Sequence, residues 1–381
     1  VLKLNKDSSK PILSINKTRN NHFNGIFIEF IGADMPLFFI EQKCSIIFWR
    51  LIMKKIGITT TVPIEILLAA GYSVIDLNNI FIMSEKYVDY IEKAERDGFP
   101  RSSCAFKKGV YGAAMENGFT EVIGVTEGDC SNSKALEEVF RMKGLKVYPF
   151  SYPSTHKLSD LKLSLDRFMN QFKVTLEEVE IIRKRLNNIR ALAEKIDELT
   201  YIDNKATALE NHIYQISCSD FNGDLNKFER DLKEKIIEIE KREPIEKKLR
   251  LAYIGTPPMT LNIYEFVENF DARFVYNEVQ REFAFPRGKK HNNIYEQYYD
   301  YTYPYDIEFR IEEIKKQIKK RKIDGIINYT QAFCYKQIEH IIIKEALDIP
   351  ILNVEGDKLN ELDARTKLRI EAFLDMLVDM R

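Results

Sequence analysis

Short β-type runs alternate with helical periods from Met53 onward, the alternation stops between Leu158 and Glu243, and it resumes at Leu249. A chain that follows each strand with a helix returns every strand in the same direction, so each alternating block implies a parallel sheet covered by helices. In the first block the reading is a strand over Lys55–Ile58, a helix entered at Pro63 and left at Gly71, and a strand over Ser73–Leu77. A helix from Cys104 towards Gly118, a strand over Glu121–Thr126, a helix over Lys134–Met142 and a strand over Lys146–Phe150 follow. Pro63 and Gly71 set the boundaries because proline suits the first helical turn and glycine the exit.

The second block has a strand over Leu249–Ile254, the turn Gly255-Thr-Pro-Pro258, a helix to Phe270, and a strand over Arg273–Val279. It continues with a helix over Ile307–Lys320, a strand over Asp324–Tyr329, a helix to Leu347 and a strand over Ile351–Val354. A last helix, Ala364–Met380, with Leu368, Phe373 and Leu377 on one side, is expected to pack back onto a domain face. Between the blocks, Val179, Ile182, Leu186, Ile189, Ala193 and Ile196 recur at three-four spacing, and Leu225, Phe228, Leu232, Ile236 and Ile239 repeat the pattern. Each stripe predicts an amphipathic helix. Two uses are open for this helical arm: covering a sheet or building a subunit contact, or simple packing within the chain.

The expected fold class is therefore α/β, with two flavodoxin- or Rossmann-like parallel-sheet domains and a helical insertion between them. The divisions are an atypical extension over 1–52, a first α/β domain over 53–157, the insertion over 158–246, a second α/β domain over 247–357 and a C-terminal helix over 358–381. In the extension, the apolar runs Pro36–Ile40 and Cys44–Trp49 are interrupted by Asp34, Glu41, Lys43 and Arg50, well short of a bilayer span. No small-residue cleavage site follows them. The extension reads as non-core, with Met53-Lys-Lys-Ile-Gly-Ile opening like a natural start; an extra packed helix is the other reading.

Across 381 residues, 57 Lys and Arg nearly balance 58 Asp and Glu, so no global field favours nucleic acid or an acidic membrane, and neither partner is expected. Five scattered cysteines do not form a secreted disulfide framework and point to a reducing, cytoplasmic setting.

Three of those cysteines share a placement. Cys104, Cys130 and Cys334 each stand where a polar loop hands over to a helix, and the last two directly follow β-type runs, at the strand ends where α/β sheets place ligands. Free amides and the dipole at a helix start favour thiolate, the form that binds metal. None of the three belongs to a Cys-x-x-Cys pair, which suits a metal cluster held between two α/β units. Lys107, Lys108, Lys134 and Lys336 lie near enough in sequence to offset negative charge, or are simply solvated. Zinc is the competing metal, but His340 lies six residues beyond Cys334 on another helix face, and His291 precedes it. The third reading, a buried small hydrophobe, suits Cys44 and Cys218 better than the polar surroundings of the trio.

The stretches Val62-Pro-Ile-Glu-Ile66 through Ala69-Ala-Gly71, Cys104-Ala-Phe-Lys-Lys-Gly109, Gly128-Asp-Cys130, the strand and loop from Asp324 to Cys334, and Arg369-Ile-Glu-Ala-Phe373 carry a resemblance. The chain from Met53 to its C-terminus resembles the 2-hydroxyglutaryl-CoA dehydratase D-component family, also called the FldB/FldC dehydratase alpha/beta family. Val125-Thr-Glu-Gly-Asp-Cys-Ser-Asn132, Tyr301-Thr-Tyr-Pro-Tyr-Asp306 and Leu362-Asp-Ala-Arg-Thr366 are most similar to the double-cubane cluster subgroup. The resemblance implies that Cys104, Cys130 and Cys334 ligate an iron–sulfur cluster. In that subgroup it implies a homodimer sharing an 8Fe-9S centre, reduced by a separate ATP-hydrolysing iron–sulfur activator, with a small molecule as substrate. In the dehydratase branch it implies a 4Fe-4S cluster in each of two different subunits and a 2-hydroxyacyl-CoA thioester as substrate. Either branch implies anaerobic life. The sequence has no Gly-x-x-x-x-Gly-Lys-Ser/Thr loop, since Gly288-Lys-Lys290 lacks the earlier glycine and the hydroxyl, so nucleotide hydrolysis is expected of a partner. Glu65 is an acid–base candidate by the same resemblance, or else a carboxylate at a helix N-terminus. Thr59, Thr60 and Thr61 either line the site or cap that helix.

Overall fold

Runs buried on both faces become parallel strands because helices cover the sheet from either side. In the computed structural model, which describes residues 54–285, 287, 290–356 and 361–381, the first sheet contains β1 (Lys54–Ile58), β2 (Tyr72–Asp76), β3 (Glu121–Glu127) and β4 (Lys146–Ser151), in the order β2-β1-β3-β4. The second contains β5 (Leu249–Gly255), β6 (Ala272–Asn277), β7 (Gly325–Gln331) and β8 (Ile351–Gly356), in the order β6-β5-β7-β8. Every pairing is parallel, with registers such as Ile56↔Val74 and Ile327↔Leu352. This is the α/β architecture of two parallel sheets that the alternation predicts. Both sheets also share one topology: the chain moves outward in one direction after the first strand and then reverses. That creates a switch point between β1 and β3 and another between β5 and β7, where an open α/β sheet leaves a crevice at its strand ends.

The helical arm packs within the chain. Its Leu176–Tyr201 helix opens on a capping box in which Thr175 and Glu178 satisfy each other's backbone amides. Val179, Leu186, Ile189, Ala193 and Ile196 are fully buried in the core that also holds Ile56, Ile64 and Leu67 of the first block. From the second sheet, Arg273 donates to the carbonyls of Asn204, Ala206 and Ile245, tying β6 to the middle of the arm and to its C-terminal end.

Three local expectations change. The C-terminal helix, Ala364–Asp379, buries Ile370, Phe373, Leu374 and Leu377 while Leu368 is exposed. Five residues at 100° each place Leu368 well off the Phe373 face. A side chain at Gly325 would meet Leu377 Cδ1 at 2.6 Å, so the bare glycine lets this helix lie on β7. Helices Leu77–Met83, Tyr87–Arg96 and Ile294–Tyr299 form where none is expected, and Leu77 begins the first of them rather than ending β2. The expected extension over 1–52 lies outside the described residues. Among those residues, no helix is long and apolar enough to cross a membrane.

Candidate functional site

The switch points of the two sheets open onto one cavity of about 230 Å³. Its wall takes Thr59, Thr60 and Thr61 after β1, Asp76 at the end of β2 and Gly128 to Cys130 after β3. From the other half come Thr256 to Pro258 after β5, Val279 after β6 and Gln331 at the end of β7. Cys104, Cys130 and Cys334 all line this cavity, although 204 positions separate the last two in a 381-residue chain.

Each cysteine is delivered by a helix start. Cys104 is the N-cap of the Ala105–Glu116 helix and Cys130 that of the Ser131–Met142 helix. Cys334 stands two residues ahead of the Lys336–Ala346 helix. Gly128 makes the turn before Cys130 with φ +95, a conformation that costs glycine little. Phe333, next to Cys334, holds φ +62, where a side chain is strained. Cys130 and Cys334 thus leave equivalent strands, β3 and β7, of two sheets with the same topology.

Burial pushes the Cys104 thiol up, and the Lys107 backbone amide, the Lys107 charge and the Phe106 amide work against that rise. Burial also raises Cys334, opposed by the backbone and charge of Lys336. Negative charge on Cys130 raises Cys104, and charge on Cys104 and Cys130 raises Cys334, so the three sulfurs share one electrostatic neighbourhood. Positive charge brought among them would favour thiolate at all three.

Two of the four lysines border the cavity. Lys107 is ion-paired with Asp129 at 3.0 Å; burial works against its charge, but Asp129 and Cys130 hold it above the ordinary lysine range. Lys336, buried, pairs with Glu339 at 3.3 Å and lies over the Tyr303 ring; burial, then Arg310, brings its pKa down. Lys108 turns away to Glu95, and Lys134 is exposed.

Among the described residues, no group of three His, Cys, Asp or Glu is arranged to hold a metal ion. The Cys₃His set of a structural zinc is therefore not formed there: His340 bonds to the Gln337 carbonyl and His291 to that of Arg287, and neither lines the cavity. A polynuclear cluster binds each thiolate through a different iron, so its ligands stand further apart than those of one ion. Three helix-start thiols lining one cavity, with backbone amides and lysines beside them, fit such a group. Cys218 is a buried core thiol pushed up to about 12 by burial. Cys44 lies outside the described residues.

Glu65 does not line the cavity. Its fully buried carboxylate receives Arg190 Nη1 at 2.5 Å, Gln297 Nε2 at 3.1 Å and Tyr298 Oη at 2.7 Å. Of the three threonines beside it, all line the cavity, and Thr59 Oγ1 also donates to the Ile123 carbonyl.

Sequence reading passed over two features of the wall. One is His212, in the Ala208–Ile216 helix. The signal for it is spacing: Asn211, His212 and Gln215 put polar groups on the buried side of an apolar stripe. The other is a buried carboxyl of that wall, Asp76, with the buried Asp220 as its partner outside the lining. Asp220 accepts from the Asp76 backbone amide at 2.8 Å, and Ser219 Oγ donates to Asp76 at 2.6 Å. Burial, then the charge of Asp76, pushes Asp220 up to about 7; burial also raises Asp76. A carboxyl with a raised native pKa binds more protons folded than unfolded, so stability falls as pH rises from about 4 to about 7. Thermal melts across that window are expected to show the loss, on the order of a few kcal/mol, and Asp220→Asn is expected to flatten it.

Residues 59–377 match the profile of the 2-hydroxyglutaryl-CoA dehydratase D-component family. The chain belongs to that family. Among curated proteins, none matches. Membership in the D-component family makes the chain a dehydratase-type enzyme component, and the cavity between its two sheets is the place to seek its chemistry.

Proposed function

We propose that Cys104, Cys130 and Cys334 hold an iron–sulfur cluster on the cavity wall, and that a small molecule bound beside it is reduced at low potential. Electrons come from a separate ATP-hydrolysing iron–sulfur activator, since the chain has no phosphate-binding loop of its own. The observation that carries the reading is the convergence of three helix-start cysteines, from both halves of the molecule, on one cavity. When bound, such a group supplies single electrons at low potential.

The chain's own residues do the rest. Backbone amides at the helix starts and the Lys107 and Lys336 ammonium groups moderate negative charge around the thiolates. Phe283, Ile213 and Ile216, which also line the cavity, exclude water from the bound molecule. The volume of about 230 Å³ suits a small molecule or the acyl end of a larger one. In this reading two copies share an 8Fe-9S centre and work in an anaerobic cytoplasm.

A second reading, a subunit of a 2-hydroxyacyl-CoA dehydratase with its own 4Fe-4S cluster, is supported by the family match. In that reading Glu65 handles the proton, and the Arg190 pair must open to release it. Iron and acid-labile sulfide analysis of anaerobically purified protein tests the proposal. Both elements bound to a homodimer, in the 8Fe-9S ratio, is the expected result. Four irons per chain, with activity only beside a second related subunit and a 2-hydroxyacyl-CoA, favours the dehydratase; zinc without sulfide overturns both.

A further inference from the structure

A carboxylate accepts hydrogen bonds and cannot donate, so a polar chain that begins on one has its donor and acceptor directions fixed all along its length. Such a chain runs from the core to the cavity. It begins at Asp197, buried, where Arg321 donates twice, at 2.9 and 2.6 Å, and Arg281 once, at 3.3 Å. Although burial opposes its charge, the Arg321 guanidinium holds this carboxyl well below the usual range, so it is ionised.

Asn211 Nδ2 lies 2.9 Å from Asp197 Oδ1 and must donate to it. Asn211 Oδ1 is then the atom turned to Asn277, whose Nδ2 donates at 2.7 Å. The Ala208 carbonyl, also unable to donate, fixes the same Asn277 orientation at 3.3 Å. Asn277 Oδ1 must therefore accept from Tyr264 Oη at 3.0 Å, which commits that hydroxyl's single proton. Tyr264 Oη can now only accept, and Gln280 Nε2 donates to it at 3.3 Å. The same nitrogen lies 2.6 Å from His212 Nδ1. Gln280 Oε1 is buried without a partner, but turning the amide over would set that oxygen against the committed Tyr264 hydroxyl.

Nδ1 of His212 is thus an acceptor, and a neutral imidazole carries its proton on Nε2. Burial keeps the ring neutral by pulling its pKa down to about 3. His212 lines the cavity that holds the three cysteines, and among the described residues no protein group accepts from Nε2. We propose that His212 is the cavity's fixed hydrogen-bond donor, presenting Nε2–H to a carbonyl or similar acceptor oxygen of the bound small molecule, with Gln280 as its positioning residue. The inference rests on reading this cavity as the substrate site. It predicts a substrate with an acceptor, rather than a cation or an N–H, at that point, where a neutral donor stabilises negative charge developing on oxygen without losing its proton.

The test is nitrogen NMR on full-length protein labelled at its five histidines, with His212→Gln supplying the assignment. Expected is one histidine with a bare Nδ1 and a protonated Nε2 that stays neutral down to pH 5. Acetamide, a minimal carbonyl acceptor, is expected to shift that Nε2–H signal downfield and to saturate. His212→Leu is expected to weaken acetamide binding roughly tenfold, and His212→Gln, which keeps a donor, to weaken it less. Gln280→Glu, which turns the positioning group into an acceptor, is expected to move the proton to Nδ1 or to charge the ring. An Nδ1–H tautomer in the unaltered protein, titration near the ordinary histidine value, or no shift with acetamide overturns the proposal. None of these readouts uses iron, so they fail or succeed independently of the cluster reading.

Discussion

Alanine at Cys104, Cys130 or Cys334, introduced one at a time, is expected to strip most of the iron and sulfide from anaerobically purified protein and to lower turnover by more than about 100-fold. Loss of a partner that merely orients a metal ligand costs about 10–100-fold, and loss of a ligand costs more. The effect is expected to be alike at all three positions despite their distance in sequence, because all three line one cavity. Cys218→Ala is the control. Its thiol is buried in the core, accepted by the Tyr214 carbonyl at 3.3 Å and absent from the cavity wall. That variant is expected to keep its iron and to lose only stability, about 1 kcal/mol for one small buried group. Metal analysis and a melting curve on each variant separate the outcomes. A Cys218 variant that lost iron while a Cys130 variant kept it would reverse the assignment.

The second large effect is expected at Arg190. Arg190→Met leaves the Glu65 carboxylate fully buried with Gln297 and Tyr298 but no positive charge, and breaking a buried pair from one side costs about 3–5 kcal/mol. Glu65→Gln strands the arginine instead and is expected to cost a similar amount. The double variant Glu65→Leu with Arg190→Met is expected to recover most of the loss, since no unpaired charge is left behind. Urea unfolding of the three variants measures this directly. It also bears on the acid–base proposal for Glu65. If that carboxylate acts on substrate, the double variant stays inactive while stable; if it only joins the arm to the first block, activity returns with stability.

Much of this arrangement was legible in the residues. The strands were visible because β-branched and aromatic runs buried on both faces carry no competing helical period, as in Gly325–Gln331. The cysteines stood out because polar loop, thiol and helix start coincide three times. Helix Tyr87–Arg96 was missed although Tyr87, Tyr90, Ile91 and Ala94 recur at three-four spacing and pack together on one core cluster. Ile294–Tyr299 escaped because its aromatic and β-branched residues favour strands. On the C-terminal helix, Leu368 looked like core because it is a leucine, whereas the buried face follows Ile370, Phe373, Leu374 and Leu377.

The site was legible only in part, for a physical reason. A helix-start cysteine is a local signal, but a histidine whose tautomer is set through Asn211, Asn277, Tyr264 and Gln280 depends on contacts between segments more than 60 residues apart. Likewise Glu65 reads as a helix-start carboxylate, and only folding reveals that Arg190, 125 positions away, takes it.

An anaerobic crystal structure with anomalous scattering measured at the iron edge tests the central claim most directly. The account predicts iron density within bonding distance of the sulfurs of Cys104, Cys130 and Cys334 together, facing the cavity that His212 also lines. Iron bound elsewhere in fully loaded, active protein, with any of these three thiols free, would contradict it.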